Sequence, residues 1–305
     1  MENYAIFNKK LIEKDKNMVD FKNKNIKIDP KYLERDPNKQ YVACISYGKD
    51  SLAMLEVIKN YGLPLDRIIT AEIWATDDIH ADLPPMVDFK SKADKIIKDR
   101  YGIEVEHLYA TDKENNRLTY DKIFHRVTQY NKPNSKSFSR QGQIYGFPTQ
   151  KGAWCNSKLK VAALERIGKN KNTVRYLGIA LDEPERVQRH IVKENVVLPL
   201  VLGNIEEQEC RQWCEENELL SPIYTTAQRG GCWFCHNQGI DQLRLLRRNY
   251  PEYWEILLQW DLESPITFTA NGHSVHDFDR RFEAEELGLV PMNRKFRWKM
   301  LDKTE

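Results

Sequence analysis

The chain has 305 residues, enough to bury one large α/β core or one such core with a smaller appendage. A hydrophobic fraction of 41%, a charged fraction of 30% and a formal net charge of +2 describe an ordinary globule and argue against a protein that coats nucleic acid generally. No apolar run approaches the ~18 residues needed to cross a bilayer, and Met1 to Phe21 lacks the apolar core of a signal peptide, so the expected location is cytoplasmic, with no membrane partner.

Residues 1–39 are mostly charged or amide-bearing and predict a helical extension that ends at the Asp29-Pro30 and Asp36-Pro37 breaks. The α/β body is expected from residue 40. Tyr41 to Ile45 is an apolar run that predicts a buried strand, and Leu52, Met54, Leu55 and Ile58 follow at helical spacing. Between them stands Ser46-Tyr47-Gly48-Lys49-Asp50-Ser51. A strand-to-helix turn aims the free N–H groups of the first helical turn at one spot, where the helix dipole favours negative charge. Gly48 lets a ligand approach the backbone, Ser46 and Ser51 offer hydroxyls, and Lys49 offers a point charge. Tyr47 fits such a turn with a negative φ. The eight-residue G-x-x-x-x-G-K-S/T phosphate loop is absent. The plain alternative is an ordinary strand-to-helix turn.

Arg67 to Trp74 predicts a second strand, residues 85–100 a helix, Ile103 to Tyr109 a third strand, and Thr173 to Ala180 a fourth. Strands alternating with helices imply a parallel sheet covered on both faces, with ligands beyond the carboxyl ends of the strands. That expectation brings Thr76, Asp77 and Asp78 towards the loop; helix capping is their bland reading. Between Lys113 and Lys160 the chain carries ten Lys or Arg against two acids, interleaved with Tyr120, Phe124, Tyr130, Phe138, Tyr145, Phe147 and Trp154. A long basic, aromatic-bearing loop suggests an anionic or aromatic substrate, against the alternative of a solvated insertion.

Cys44 reads as a core residue of the first strand. Cys232-Trp233-Phe234-Cys235 is a C-x-x-C of the kind that wraps a metal, and Cys210 and Cys214 are four apart on a predicted helix, so both thiols share a face. Six cysteines in a chain expected in a reducing compartment suggest metal or redox chemistry. One arrangement is a four-thiolate zinc site of Cys210, Cys214, Cys232 and Cys235. The other joins Cys155 to Cys232 and Cys235 around an iron–sulfur cluster, with a fourth position open or filled by Cys210 or Cys214. His236 is a further candidate zinc ligand. Helices over residues 241–249, 250–260 and 280–286 complete a small α-helical, cysteine-containing C-terminal part. The expected division is 1–39, 40–203 and 204–305.

The loop at Ser46–Ser51 resembles the S-G-G-K-D-S pyrophosphate loop of the adenine nucleotide alpha-hydrolase (PP-loop ATP pyrophosphatase) superfamily, with Tyr47 in place of a glycine. Within it the chain is most similar to the phosphoadenosine phosphosulfate (PAPS) reductase-like branch. Gly146-Phe147-Pro148 with Trp154 to Lys160 resembles the G-x-P…C-T-x-x-L-K stretch of those proteins. Gly178, Asp182, Glu183 and Arg186 match the G-I-R-x-D-E-x-x-R segment, with Ala180 where an Arg is common and Arg189 as its substitute. The resemblance covers residues 41–250 and implies a HUP-like, doubly wound α/β fold. It also implies ATP, or an adenylylsulfate-type nucleotide, held with Mg2+ by Ser46, Tyr47, Gly48, Lys49, Asp50, Ser51, Thr76, Asp77, Gly178, Asp182 and Glu183. Lys49, Asp50 and Arg186 would be the catalytic residues. Three functions follow from it: adenylation of an acceptor with sulfur transfer, sulfonucleotide reduction, and a non-catalytic nucleotide- or nucleic-acid-binding role. Reductases of the family attack with a cysteine in an E-C-G-I/L-H tail, whereas no cysteine follows Cys235 here. The implied partners are an anionic acceptor, with nucleic acid as one candidate, and a sulfur or electron donor protein.

Overall fold

A computed structural model of the chain describes residue 21 and residues 26–129, 140–149, 153–168, 170–225, 231–293 and 295–303. Most of the expected N-terminal extension lies outside the described residues, as do Tyr130 and Phe138 of the basic segment. The chain divides into two compact units: 1–72 with 84–108 and 164–225, and 73–83 with 109–163 and 226–305. These do not coincide with boundaries at 39/40 and 203/204, because the chain leaves the first unit after residue 72, again after residue 108, and finally after residue 225.

The first unit holds a five-stranded sheet of order β3-β2-β1-β4-β5, with β1 Gln40–Ile45, β2 Arg67–Ala71, β3 Val105–Leu108, β4 Thr173–Leu177 and β5 Val196–Val197. Every pairing is parallel, with Cys44 opposite Ile69 on one side and Leu177 on the other. Parallel strands buried on both faces need continuous apolar runs, which β1 and β2 supply: Val42, Ala43, Ile45, Ile68 and Ile69 are all buried. This is the doubly wound α/β class. Four strands fall where the sequence places them, though β2, β3 and β4 are shorter than their apolar runs. The two-residue β5 is too short for any periodicity to mark.

Successive strands run outward from β1 in both directions, so the order reverses between β1 and β4. In such sheets the crevice beyond the strand ends at that switch point is where ligands bind. Helix Lys49–Tyr61 follows β1 directly, buries Leu52, Met54, Leu55 and Ile58, and stops at Gly62 in the left-handed conformation with φ 69°. Helix Pro84–Tyr101 buries Phe89, Ala93 and Ile97, and helix Glu207–Glu216 buries Cys210, Trp213 and Cys214.

The second unit has its own aromatic core. Tyr120, Phe124, Phe147, Trp233, Phe234, Trp254, Trp260 and Phe268 pack together there. Three aromatic residues expected to greet a substrate, Tyr120, Phe124 and Phe147, are therefore core residues. Its main helices are Ile240–Asn249, Pro251–Glu263 and Val275–Glu286, the last entered through a reciprocal Ser274–Asp277 cap. Ahead of β4 the chain forms a π-helical segment, Asn156–Val161, that runs into helix Ala162–Gly168. Among the described residues no helix is long and apolar enough to cross a membrane.

Candidate functional site

The stretch Ser46–Gly48 joins β1 to helix Lys49–Tyr61 at the switch point. Gly48 is the helix N-cap, with φ −78° and no side chain to satisfy the first N–H groups. Ser51 fastens the turn from inside: its hydroxyl donates to the Gly48 carbonyl at 2.9 Å and accepts from the Ser46 N–H at 3.1 Å. The Lys49 N–H donates to the Tyr224 hydroxyl at 3.2 Å. Tyr47 departs from the negative φ expected of it. Its φ is 55°, and its ring turns away from the loop into the core, fully buried.

Around the helix start stands a charged group. Lys49 Nζ lies 3.0 Å from an Asp50 carboxylate oxygen and 3.3 Å from one of Glu207. Burial opposes the Lys49 charge, but the two carboxylates outweigh it and hold its pKa above the ordinary value. Burial pushes the Asp50 carboxyl up, and Lys49 only partly reverses this. Glu183 caps helix Pro184–Ile191 at its N-terminus. One of its oxygens pairs with Arg186, and the other is buried with no hydrogen-bond partner. One donor atom each of Asp50, Glu183 and Glu207 lies within 4.8 Å of the others, a grouping unique among the described residues. A few carboxylates beside an uncapped helix N-terminus form a donor set that suits Mg2+, which takes hard oxygen ligands.

Three further residues fall into place. Gly178 directly follows β4, where a Cβ would lie 2.6 Å from the Ser51 Cα and 2.8 Å from the Asp50 carbonyl oxygen, so only glycine lets the strand end touch the helix start. Asp182 accepts from the Glu207 N–H at 3.0 Å, which ties it to the site through the helix that carries Glu207. Ala180 is buried, and Arg189 lies in the last turn of its helix, exposed. Sequence reasoning missed Glu207 and Tyr224. Nothing in the local pattern marks either residue; both reach the loop from more than 150 residues away.

Cys210 and Cys214 are fully buried in the first unit. The Cys214 thiol donates to the Lys49 carbonyl at 3.4 Å, and burial raises the pKa of both thiols far above the ordinary range. They are thus core side chains of the first unit, beneath the Ser46–Ser51 turn. Cys44 is likewise pushed up to about 11 by burial.

In the second unit Thr76 accepts from the N–H groups of Asp78 and Ile79 within its own loop, and Asp77 receives Lys122 Nζ, from helix Tyr120–Phe124, at 2.6 Å. The C-x-x-C turn is held by Trp233, whose backbone and indole N–H groups donate to the carbonyls of Ala81 and His80 at 2.9 Å each. The Gln238 side chain donates to the Cys232 carbonyl at 2.9 Å. Burial pushes Cys155 up to about 11, followed by the charge of Cys235; burial also raises Cys232, followed by Asp82, Cys235 and Cys155, while Lys160 acts the other way. Cys235 thus acts on both Cys155 and Cys232, and Cys155 on Cys232. Tyr120, almost completely buried, feels the charge of all three, and its hydroxyl has no hydrogen-bond partner. Three half-buried thiols whose charges act on an orphaned Tyr120 hydroxyl fit a cationic centre, which would favour the thiolates, and these would give the hydroxyl an acceptor. His236 Nδ1 is also buried and without a partner.

No protein-family profile and no curated protein matches the chain. Among solved structures it is similar to the U34-tRNA thiolase NcsA from Methanococcus maripaludis with its 4Fe-4S cluster, at 16% identity over 83% of this chain and 76% of that one, with a TM-score of 0.34.

Proposed function

We propose that the protein is a PAPS reductase-like PP-loop enzyme that binds ATP with Mg2+, adenylates an oxygen-bearing acceptor and supports its thiolation. The observation that carries this reading is the meeting of Lys49, Asp50, Glu183 and Glu207 around an uncapped helix N-terminus at the switch point of the sheet. An N–H-lined turn with one lysine would hold the β,γ-pyrophosphate, and Asp50, Glu183 and Glu207 would hold a magnesium ion, which would neutralise phosphate charge. Displacing Lys49 from its carboxylate partners onto phosphate leaves those carboxylates free for the metal. The acceptor oxygen attacks the α-phosphorus, the bond between that phosphorus and the bridging oxygen breaks, and pyrophosphate leaves with the electron pair. Catalysis here is positioning and charge neutralisation by Lys49, Arg186 and the metal, since the protein forms no covalent bond.

The activated acceptor carbon then carries AMP as a leaving group, and a sulfur nucleophile from a donor replaces it. Cys155, Cys232 and Cys235 would hold an iron–sulfur cluster, which supplies a site to bind sulfur when present. Burial around Tyr120 and the C-x-x-C keeps water from that region of the second unit.

The test is nucleotide binding by calorimetry together with pyrophosphate release. Lys49→Ala is expected to weaken MgATP binding by about tenfold or more, roughly 1.4 kcal/mol per tenfold, and to remove pyrophosphate formation. Unchanged affinity in that variant would sink the phosphate-loop assignment.

A further inference from the structure

Tyr47 occupies the middle of the phosphate loop, between Ser46 and Gly48, yet its side chain is directed away from any ligand. Its positive φ is unfavourable for a bulky L-residue and persists only where the surroundings enforce it. The enforcing group is a half-buried cluster drawn from three other places in the first unit. The Tyr47 hydroxyl lies 2.5 Å from Asp94 Oδ1, on helix Pro84–Tyr101, and 3.1 Å from His107 Nε2, on β3. His107 Nε2 lies 3.0 Å from the other Asp94 oxygen, and its Nδ1 lies 2.9 Å from Glu72, the residue after β2. Lys90, also on the helix, stands 5.3 Å over the Tyr47 ring. With a carboxylate at each ring nitrogen, His107 is held as the imidazolium.

We propose that Tyr47 is a positioning residue of the nucleotide site: its hydroxyl, gripped by Asp94 and His107, locks the loop in its phosphate-binding conformation, so the charge on His107 governs nucleotide affinity. This rests on the reading that the loop binds ATP. The coupling has a definite sign. Hydrogen bonds to Asp94 and then to Glu72 raise the His107 pKa to about 9 from an ordinary 6.5. The cluster's contribution to folding is therefore complete below pH 6.5 and lost as pH rises through about 9. Loss of the proton leaves a lone pair facing one carboxylate and an unbalanced negative charge between Glu72 and Asp94. Asp94 then gives up its place, the tyrosine tether slackens, and the left-handed residue relaxes. By reciprocity, a nucleotide that selects the locked loop must raise the His107 pKa further.

Calorimetry of the full chain with Mg2+ and a non-hydrolysable ATP analogue, from pH 7.5 to about 10, tests this; the terminal phosphate has already lost its last proton in that window, its pKa being near 6. Wild type is expected to lose about tenfold in affinity across the range, a usual size for coupling between sites. Tyr47→Phe should bind about tenfold more weakly at pH 7.5 and show little further fall, and His107→Gln should be flat. In NMR titrations the analogue should move the His107 midpoint upward in wild type and leave it in place in Tyr47→Phe. A merely structural tyrosine would leave both the pH profile and that midpoint alone. If Lys49→Ala loses binding while Tyr47→Phe keeps wild-type affinity and pH profile, the positioning role falls and the phosphate loop stands. If wild type binds no nucleotide, both fall. Should neither cluster variant fold, the wild-type His107 titration with and without the analogue decides, and an unmoved midpoint overturns the proposal.

Discussion

Two glycines flank the start of helix Lys49–Tyr61, and they do different work. A Cβ on Gly48 would find its nearest neighbours, the Tyr224 hydroxyl and Ser46 Oγ, at 3.4 and 3.5 Å, which is ordinary contact, and its φ is negative. Glycine there keeps the approach to the N–H groups open rather than permitting the fold. At Gly178 the same Cβ would press on three backbone atoms of Asp50 and Ser51 at 2.6 to 2.8 Å, which no rotamer change relieves. Gly178→Ala is thus expected to destabilise the protein by about 2 kcal/mol or more and to weaken nucleotide binding by displacing the first turn of the helix. Gly48→Ala should change stability by only about 1 kcal/mol or less. Urea denaturation followed by circular dichroism compares them, and a Gly178→Ala variant as stable as wild type would contradict so close an approach. Motif resemblance points to Gly178, but its reason is a contact between residues more than 120 apart, which no local pattern records. Tyr47 shows the converse limit. Its identity was legible, while its conformation is set by Asp94, His107 and Glu72, which carry no shared spacing in the chain.

At the scale of elements, the legible parts are those whose side chains repeat. β1 could be placed within a residue, and the helix after it recognised, because buried apolar runs and helical spacing impose a period. The unit boundaries were not legible, since an excursion from a sheet leaves no period of its own. Nor was the role of helix Glu207–Glu216 beyond its buried cysteine face. That helix carries Glu207 to the site, and Asp182 holds its first turn by accepting the Glu207 N–H at 3.0 Å. Removing that acceptor frees a first-turn donor and lets the turn fray, so Asp182→Ala is expected to cost about 1 kcal/mol. The functional consequence is more telling. Glu207 would be held less firmly against Asp50 and Glu183, so more Mg2+ should be needed for half-maximal nucleotide binding, while binding at saturating metal stays close to wild type. Asp182→Asn keeps an acceptor oxygen and should behave nearly as wild type. Magnesium titrations of analogue binding separate these variants. An unaltered metal requirement in Asp182→Ala would show that the helix start does not position a ligand.

Across the whole molecule, the cysteines sort by unit. Cys44, Cys210 and Cys214 belong to the first unit, where burial holds each of them as a neutral thiol and Cys214 is bonded to the Lys49 carbonyl. Cys155, Cys232 and Cys235 belong to the second, where each is half-buried and the charges of Cys155 and Cys235 act on Cys232. Half-buried thiols whose charges act on one another are unfavourable as thiolates unless a cation joins them, and the orphaned Tyr120 hydroxyl, on which all three charges act, lacks an acceptor. Anaerobically purified protein is therefore expected to hold iron and to absorb broadly near ~400 nm, where thiolate-to-iron transitions fall. Cys155→Ser and Cys232→Ser should each lose most of that iron, and a chelator should destabilise wild type but hardly affect those variants. Cys210→Ser and Cys214→Ser should retain the metal, since their defect would be an unpaired hydroxyl in an apolar core, costing about 1–3 kcal/mol. Iron and zinc measured on the same samples decide the matter. Zinc without colour would make the second-unit cysteines a structural staple, and metal loss from Cys210→Ser at unchanged folding would add Cys210 to the ligands.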